Sequence, residues 1–347
     1  MGRNGATRRR GRVSREDDMV AMTRRALIAG AVAAPFAATA QTSAQTSAQT
    51  WPSGTIRIVV PYPPGGSNDL IARLVQPGLQ QRLGATVIVE NKAGASGSIG
   101  TAVVAKSPPD GNTWLITFDN HAANPFILPA LPFDTEKDLE PVLLIGMAPY
   151  VVCTHPDKPY KTIGDVIAAA KAKPSAVGYA SVGSGSIGHL AMVLLSQRAG
   201  VRLVHLPYRG GGPAMNDVVA GHVDLLVGSI ALSMAQIEGG KLRAVTQFGA
   251  NRARALPAVA TVSESFPGLE ANAWWGMFAP AGTPKPIVER FSTELAATLR
   301  EERIAKQLTE QQQATLLLAG PEDLRKFVRE QMRVWGEVVR ENGITAD

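Results

Sequence analysis

From Ser53 onward the chain alternates short, β-branched apolar runs with longer stretches whose apolar residues recur every three or four positions. Thr55–Val60 (TIRIVV), Val87–Glu90 and Trp114–Phe118 read as strands. Between them lie a helix from about Asp69 to Leu83 and a second helix opened by the turn at Gly94–Gly97. The same rhythm resumes with helix 162–172, strand 177–180, helix 187–199, strand 202–206, helix 213–220 and strand 224–227. Strands separated by helical segments predict mostly parallel sheets with helices on both faces, and the repeat of the unit predicts two α/β lobes. The last 60 or so residues read as helices over 286–300 and 321–341. The second has an apolar stripe of Leu324, Phe327, Val328, Met332, Trp335 and Val338, which predicts packing on the first lobe. The expected division is leader 1–40, linker 41–52, a discontinuous first lobe of 53–149 plus 275–347, and a second lobe of 150–274. The crossings are then expected near Met147–Thr154 and Asn272–Pro280.

Charge changes the picture only at the N-terminus. The net charge is +6, but residues 1–40 carry eight Arg and three acidic residues, and the remainder is nearly balanced. Nucleic acid is therefore not an expected partner. Arg24-Arg25, the 11-residue apolar run Ala26–Phe36 and the small residues Ala37–Ala40 have the three-part order of a cleavable export signal. Cleavage is expected after Ala40, and Thr23–Ile28 resembles a twin-arginine signal, so the general secretory and twin-arginine routes both stay open. The Gln-Thr-Ser-Ala repeats through Thr50 read as a tether. Cys153 stands alone in an apolar run, which leaves no internal disulfide and no cysteine-based metal site.

Candidate chemistry sits at the ends of the strands, where open α/β sheets bind ligands. Pro61-Tyr62-Pro63-Pro64-Gly65-Gly66-Ser67-Asn68-Asp69 combines prolines that stiffen, glycines that admit close backbone approach, and helix-capping residues. From it Tyr62, Gly65, Gly66, Ser67 and Asp69 are taken as ligand-binding. A second loop contributes Ser181, Gly183, Ser184, Gly185 and Ser186, suited to an anion at a helix N-terminus. Asn120 and His121, then Tyr208 and Arg209, end two further strands, and Trp275 lies in a crossing; these complete the candidate set. Gly183–Gly188 (GSGSIG) matches a dinucleotide fingerprint, which keeps an NAD-dependent oxidoreductase as an alternative. The strand ending at Leu206 lacks the acidic residue such a site needs. His121, His189 and His205 lack metal-ligand spacing, and no nucleophile elbow occurs, so no metal, cofactor or catalytic residue is expected.

Several segments together resemble the Bug-type (TctC-like) receptors of tripartite tricarboxylate transporters. They are Pro61–Asp69, Glu90-Asn91-Lys92 with Gly94 and Gly97–Gly100, Pro109-Asp110-Gly111, Gly183–Ser186 with His189-Leu190, Pro207–Gly210, and Trp275-Gly276 with Ala279–Pro284. The resemblance runs in order over nearly all of residues 53–340. It implies a periplasmic, two-lobed Venus flytrap fold that passes a small organic carboxylate to a membrane permease, and a monomer is expected. It also implies that loops Tyr62–Asp69 and Ser181–Ser186 hold the proximal carboxylate, partly through ordered water. Gly228-Ser229 departs from the Asp that members often carry there, so ligand identity does not transfer. A periplasmic carboxylate sensor partner shares every one of these features and stays open as an alternative.

Overall fold

The computed structural model describes residues 51–345, and the expectations for the leader, its cleavage and most of the tether fall on residues outside these. Ten strands and ten α-helices make up the described residues; those read above occur in that order, joined by strands and a helix that the reading lacked. The first sheet runs β2 (Val87–Asn91), β1 (Ile56–Val60), β3 (Thr113–Phe118), β9 (Asn272–Pro280), β4 (Leu139–Thr154), with β10 (Thr315–Ala319) also on β4. The second runs β6 (Val204–Pro207), β5 (Gly178–Ser181), β7 (Leu225–Ser229), β4, with β8 (Arg243–Gln247) on the other side of β4. Pairing is parallel among β1, β2 and β3 and among β5, β6 and β7. It turns antiparallel where β9 pairs with β3 and β4, and where β4 pairs with β7.

β4 joins the two sheets. Over Leu139–Pro149 it pairs with β9, and from Tyr150 onward with β7 and β8. Its residues are buried on both faces, apart from Glu140, Met147 and Pro149, which are half-buried. A strand covered on both faces reads as a continuous apolar run. The register then locates the cleft. β3 runs parallel to β4 and ends with Phe118 level with Trp275, itself level with Gly146. β7 runs against β4 and ends with Ser229 opposite Tyr150. The two sets of strand ends therefore approach each other and stop four residues of β4 apart, about 13 Å at ~3.3 Å per residue.

The loops at those ends each open a helix. After β1 comes α1 (Ser67–Leu83), after β3 α3 (Asn120–Ile127), after β5 α5 (Ile187–Ala199), after β6 α6 (Gly211–Val219) and after β7 α7 (Ile230–Glu238). Asn120 and His121, read above as ending a strand, are thus in the first turn of a helix. α2 (Ser98–Ala105) follows a short 3₁₀ turn at Ala95–Gly97, and α4 is Ile163–Ala172 with a reciprocal cap between Thr162 and Asp165. At the opposite end of the first sheet Trp51 is buried against Trp114 and Phe291. Its indole donates to Gly111 O at 2.9 Å, and Arg290 donates to its carbonyl at 2.6 Å.

The C-terminal elements are α8 (Lys285–Leu299), α9 (Glu302–Gln311), β10 and α10 (Pro321–Asn342). α10 does more than cover the first lobe, as its stripe had predicted. Leu324 and Val328 join a core with Leu115, Trp274 and Phe278. Trp335, Val338 and Val339 enter a different core with Leu190, Leu195 and Val227 of the second sheet's helices and strands. At 22 residues and ~1.5 Å per residue the helix is about 33 Å long, enough to reach across both. Trp335→Ala should therefore destabilise the whole described fold by about 3–5 kcal/mol, the cost of emptying a large buried aromatic site. Chemical denaturation followed by far-UV circular dichroism measures it; a change below 1 kcal/mol would show that the helix end is not part of the shared core.

Candidate functional site

Pro61–Asp69 is built from inside by Asp69. Its carboxylate accepts from the Gly65 amide at 2.9 Å, from Arg73 Nε at 3.0 Å and from Asn91 Nδ2 at 3.0 Å. Burial raises the Asp69 pKa, but these donors outweigh it and hold the carboxyl below its ordinary value. Asn91 also donates to Tyr62 O at 3.1 Å, so the end of β2 fixes the start of the loop. Gly65 has φ +87°, a conformation that favours glycine. Ser67 turns its hydroxyl to Gln312 at 2.6 Å. Asp69 and Ser67 are thereby occupied with the protein. No side chain caps α1, and its N-cap Gly66 is exposed with φ −77°. An uncapped 17-residue helix presents free N–H groups and a positive dipole end.

The second loop differs. Ser181 is fully buried; its hydroxyl donates to Gly183 O at 3.0 Å and lies 2.7 Å from His205 Nε2. Ser186 caps α5 through the His189 amide and donates to Gly183 O at 2.8 Å. The Gly183 amide donates to Ser181 Oγ, the Gly185 amide to His189 Nδ1 at 3.0 Å, and the Ser186 amide to Gly183 O. His189 and His205 stack with ring centroids 3.7 Å apart. The glycine loop is therefore bonded to itself, and Ser184, half-exposed, keeps a hydroxyl with no partner among the described residues. A dinucleotide pyrophosphate would need those same amides free.

Of the other candidates, Asn120 is half-buried in the first turn of α3. His121 turns inward against Phe278, ring centroids 5.0 Å apart, and burial lowers its pKa to about 4. Tyr208 donates its hydroxyl to Asp217, which with burial raises the Tyr208 pKa to about 12. Arg209 is exposed and makes no ion pair among the described residues. Trp275 is buried beside Phe118, centroids 6.0 Å apart, with its indole N–H unpartnered. Among the described residues no group of His, Cys, Asp or Glu is arranged to hold a metal ion, and no helix is long and apolar enough to cross a membrane. Burial raises the Cys153 thiol to about 12, where it stays protonated.

Two residues at the meeting of the strand ends escaped the sequence reading. Asp119, at the end of β3, is fully buried and accepts from the Tyr150 hydroxyl at 2.8 Å. Tyr150, the first residue of β4 to pair with the second sheet, also lies against Gly188 of α5. Burial raises the Asp119 carboxyl to about 8 against the opposing bonds from Tyr150 and the Asn120 amide. Asp119 stood in the sequence as one more polar residue beside Asn120, and Tyr150 as one more member of an apolar run. The available signal was a carboxylate in the position that ends a buried strand.

Two outcomes follow from this geometry. Gly66→Val should fold, since a Cβ there meets only Pro63 O at 3.7 Å and its φ suits any residue. Gly185→Val should lose roughly 2–5 kcal/mol, because its φ is +74° and a Cβ would sit 2.8 Å from Ile127. Thermal unfolding of both variants checks this, and equal midpoints would refute the packing at Ile127. The second outcome concerns pH. Asp119 keeps its proton to about pH 8 in the fold but loses it near 3.8 when unfolded, so its contribution falls as pH rises through that window. His121 stays neutral to about pH 4 in the fold but takes a proton near 6.5 when unfolded, so its contribution is lost as pH falls. The slopes oppose each other between 4 and 6.5, and only that of Asp119 remains from 6.5 to 8. Stability measured by denaturant titration should decline over pH 6.5–8, and Asp119→Asn should flatten the decline.

Comparison with known proteins follows the geometry. The family model described as "Tripartite tricarboxylate transporter family receptor" matches residues 71–344. The UPF0065 protein of the tcbD-tcbE intergenic region of Pseudomonas sp. (strain P51) is 36% identical over 301 residues, covering 86% of this chain and 89% of the relative. The solved structure of R. palustris Rpa4515 with adipate superposes with a TM-score of 0.75 at 31% identity, covering 85% of this chain and 99% of that one. MatC from Rhodopseudomonas palustris with bound malate gives 0.70 at 29% identity, covering 83% and 100%. The two-lobed α/β architecture is that of periplasmic binding proteins. The chain belongs to the tripartite tricarboxylate transporter receptor family.

Proposed function

We propose that this chain is an extracytoplasmic receptor that binds a small organic carboxylate between the strand-end loops and delivers it to the membrane permease of a tripartite tricarboxylate-type transporter. The observation that carries the reading is the uncapped N-terminus of α1. Three potential capping side chains occur at its start, yet two of them are bonded elsewhere and none caps the helix. The free N–H groups lie at the end of β1, one of the strand ends that face the second sheet across β4. Their chemistry suits a carboxylate: about 1.5–3 kcal/mol for each charge-assisted hydrogen bond and about 0.3–1 kcal/mol from the helix end. Ser184 and Arg209 provide polar groups on the opposing loops. Three or four such bonds reach the roughly 8 kcal/mol of a micromolar complex before ordering costs are subtracted. That relatives of this fold were solved with adipate and with malate supports a carboxylate ligand here.

In this reading the lobes comprise 53–149 with 275–347, and 150–274, and they close on the ligand by rotation about β4 and β9. The protein works as a monomer in the periplasm, reached by the cleavable N-terminal signal, and performs no turnover. A ligand shifts the lobes only if it binds the closed form more tightly than the open one, which requires contacts to both.

A thermal-shift screen of mono- and dicarboxylates, with calorimetry on the hits, tests the assignment. A micromolar ligand is expected, and Gly66→Val should weaken it at least 100-fold, because the added branch fills the space in front of the α1 amides. Small-angle scattering should show a smaller radius of gyration at saturation. Wild-type affinity in Gly66→Val would remove α1 from the site, and an unchanged radius would remove the closure.

A further inference from the structure

Beside the loops already described, the strand ends enclose a pair of buried polar atoms that nothing in the protein satisfies. Asp119 Oδ1 and Tyr62 Oη are both shielded from solvent; Oδ1 has no hydrogen-bond partner, and Oη has at most a poorly aligned contact with Thr117. Buried polar atoms of native proteins are nearly always bonded, so an orphan marks a place for a water or a ligand atom. The two atoms belong together. Burial raises the Tyr62 pKa well above the ordinary value, and the nearby Asp119 carboxyl adds to the rise whenever it is ionised. They come from the two strands of the first lobe that end at the cleft, Tyr62 just past β1 and Asp119 just past β3. The other carboxyl oxygen of Asp119 is held by Tyr150, where β4 passes to the second sheet. The N-terminus of α3, for which Asp119 is the N-cap, has no side-chain cap either.

We propose that Asp119 and Tyr62 form an inner subsite that takes one oxygen of the bound carboxylate, with Asp119 Oδ1 carrying the proton donated to it. This rests on the receptor reading above and adds Asp119 to the Tyr62 already taken as a ligand-binding candidate. The chemistry requires the proton. No cation pairs with Asp119 among the described residues, and two bare carboxylates in hydrogen-bond contact repel. With the Tyr150 hydroxyl donating to Oδ2, a proton on Oδ1 turns the side chain into a donor without adding charge. The groups facing it are Tyr62 from the β1 loop, Tyr150 from β4 and the Asn120 amide of α3. None of them is cationic, and burial keeps the acid neutral to about pH 8. Binding is then linked to a proton: the carboxylate enters a site that must stay protonated to hold it.

Calorimetric titration of the full mature protein with adipate and with malate at pH 6, 7, 8 and 9 tests the subsite. Wild-type affinity is expected to be level to pH 7 and about tenfold weaker at pH 9, following the fraction of Asp119 that keeps its proton. Asp119→Asn keeps a donor and cannot titrate, so it should bind with a flat profile across pH 6–9. Tyr62→Phe removes one donor alone and should weaken binding at every pH while leaving the slope. Circular dichroism of each variant confirms folding. A wild type that binds, with the same slope kept in Asp119→Asn, overturns the subsite alone. A wild type that binds neither probe nor any member of the mono- and dicarboxylate panel overturns the carboxylate receptor reading and the subsite with it.

Discussion

One strand serving two sheets is the constraint from which the rest of the structure follows. β4 hydrogen-bonds to β9 along its first part and to β7 and β8 along its last. A backbone covered on both edges cannot slip by one residue without turning every buried side chain to the wrong face. The relative register of the lobes is thereby set at Pro149–Tyr150, and so is the distance between the facing strand ends. The same strand brings Tyr150 to Asp119, so the element that joins the two sheets also meets the end of β3.

The two anion loops, alike in sequence, do different physical work. In the first, the polar side chains are drawn away to Arg73, Asn91 and Gln312, which leaves the helix end open. In the second, the hydroxyls and amides close on one another and on a stacked pair of histidines. One loop leaves its helix end uncapped, and the other is bonded to itself with Ser184 left over. A glycine-rich loop at a helix start therefore predicts an anion site only when its own side chains leave the amides free.

Local periodicity made most of the fold legible. Helix 187–199 coincides with its expected span, and the strands of both parallel sets lie within two residues of theirs. The long β4 was read only as a crossing over its last residues, because Gly146 and Pro149 interrupt its pattern and burial on both faces erases its alternation. β10 and α9 were missed for another reason. β10 holds its place by pairing with residues about 170 positions earlier, and Ser67 meets Gln312 at a separation of 245. No local window contains such partners. The site was legible as a set of loops and illegible as a set of contacts: the residue types named the chemistry, but not which side chains would be consumed in holding the loops.

Trp51 carries a practical corollary. It packs at Gly111, on the turn that leads into β3, whereas the ligand loops leave from the other end of the same strands. The chain thus enters the folded body on the side remote from the cleft, and Arg290 and the Trp114–Phe291 stack fasten it there. A fluorophore, affinity handle or surface linkage placed ahead of Trp51 would immobilise the receptor with its mouth unobstructed. If the site is the one proposed above, the molecule is already laid out as a biosensor, with the point of attachment and the point of detection at opposite poles.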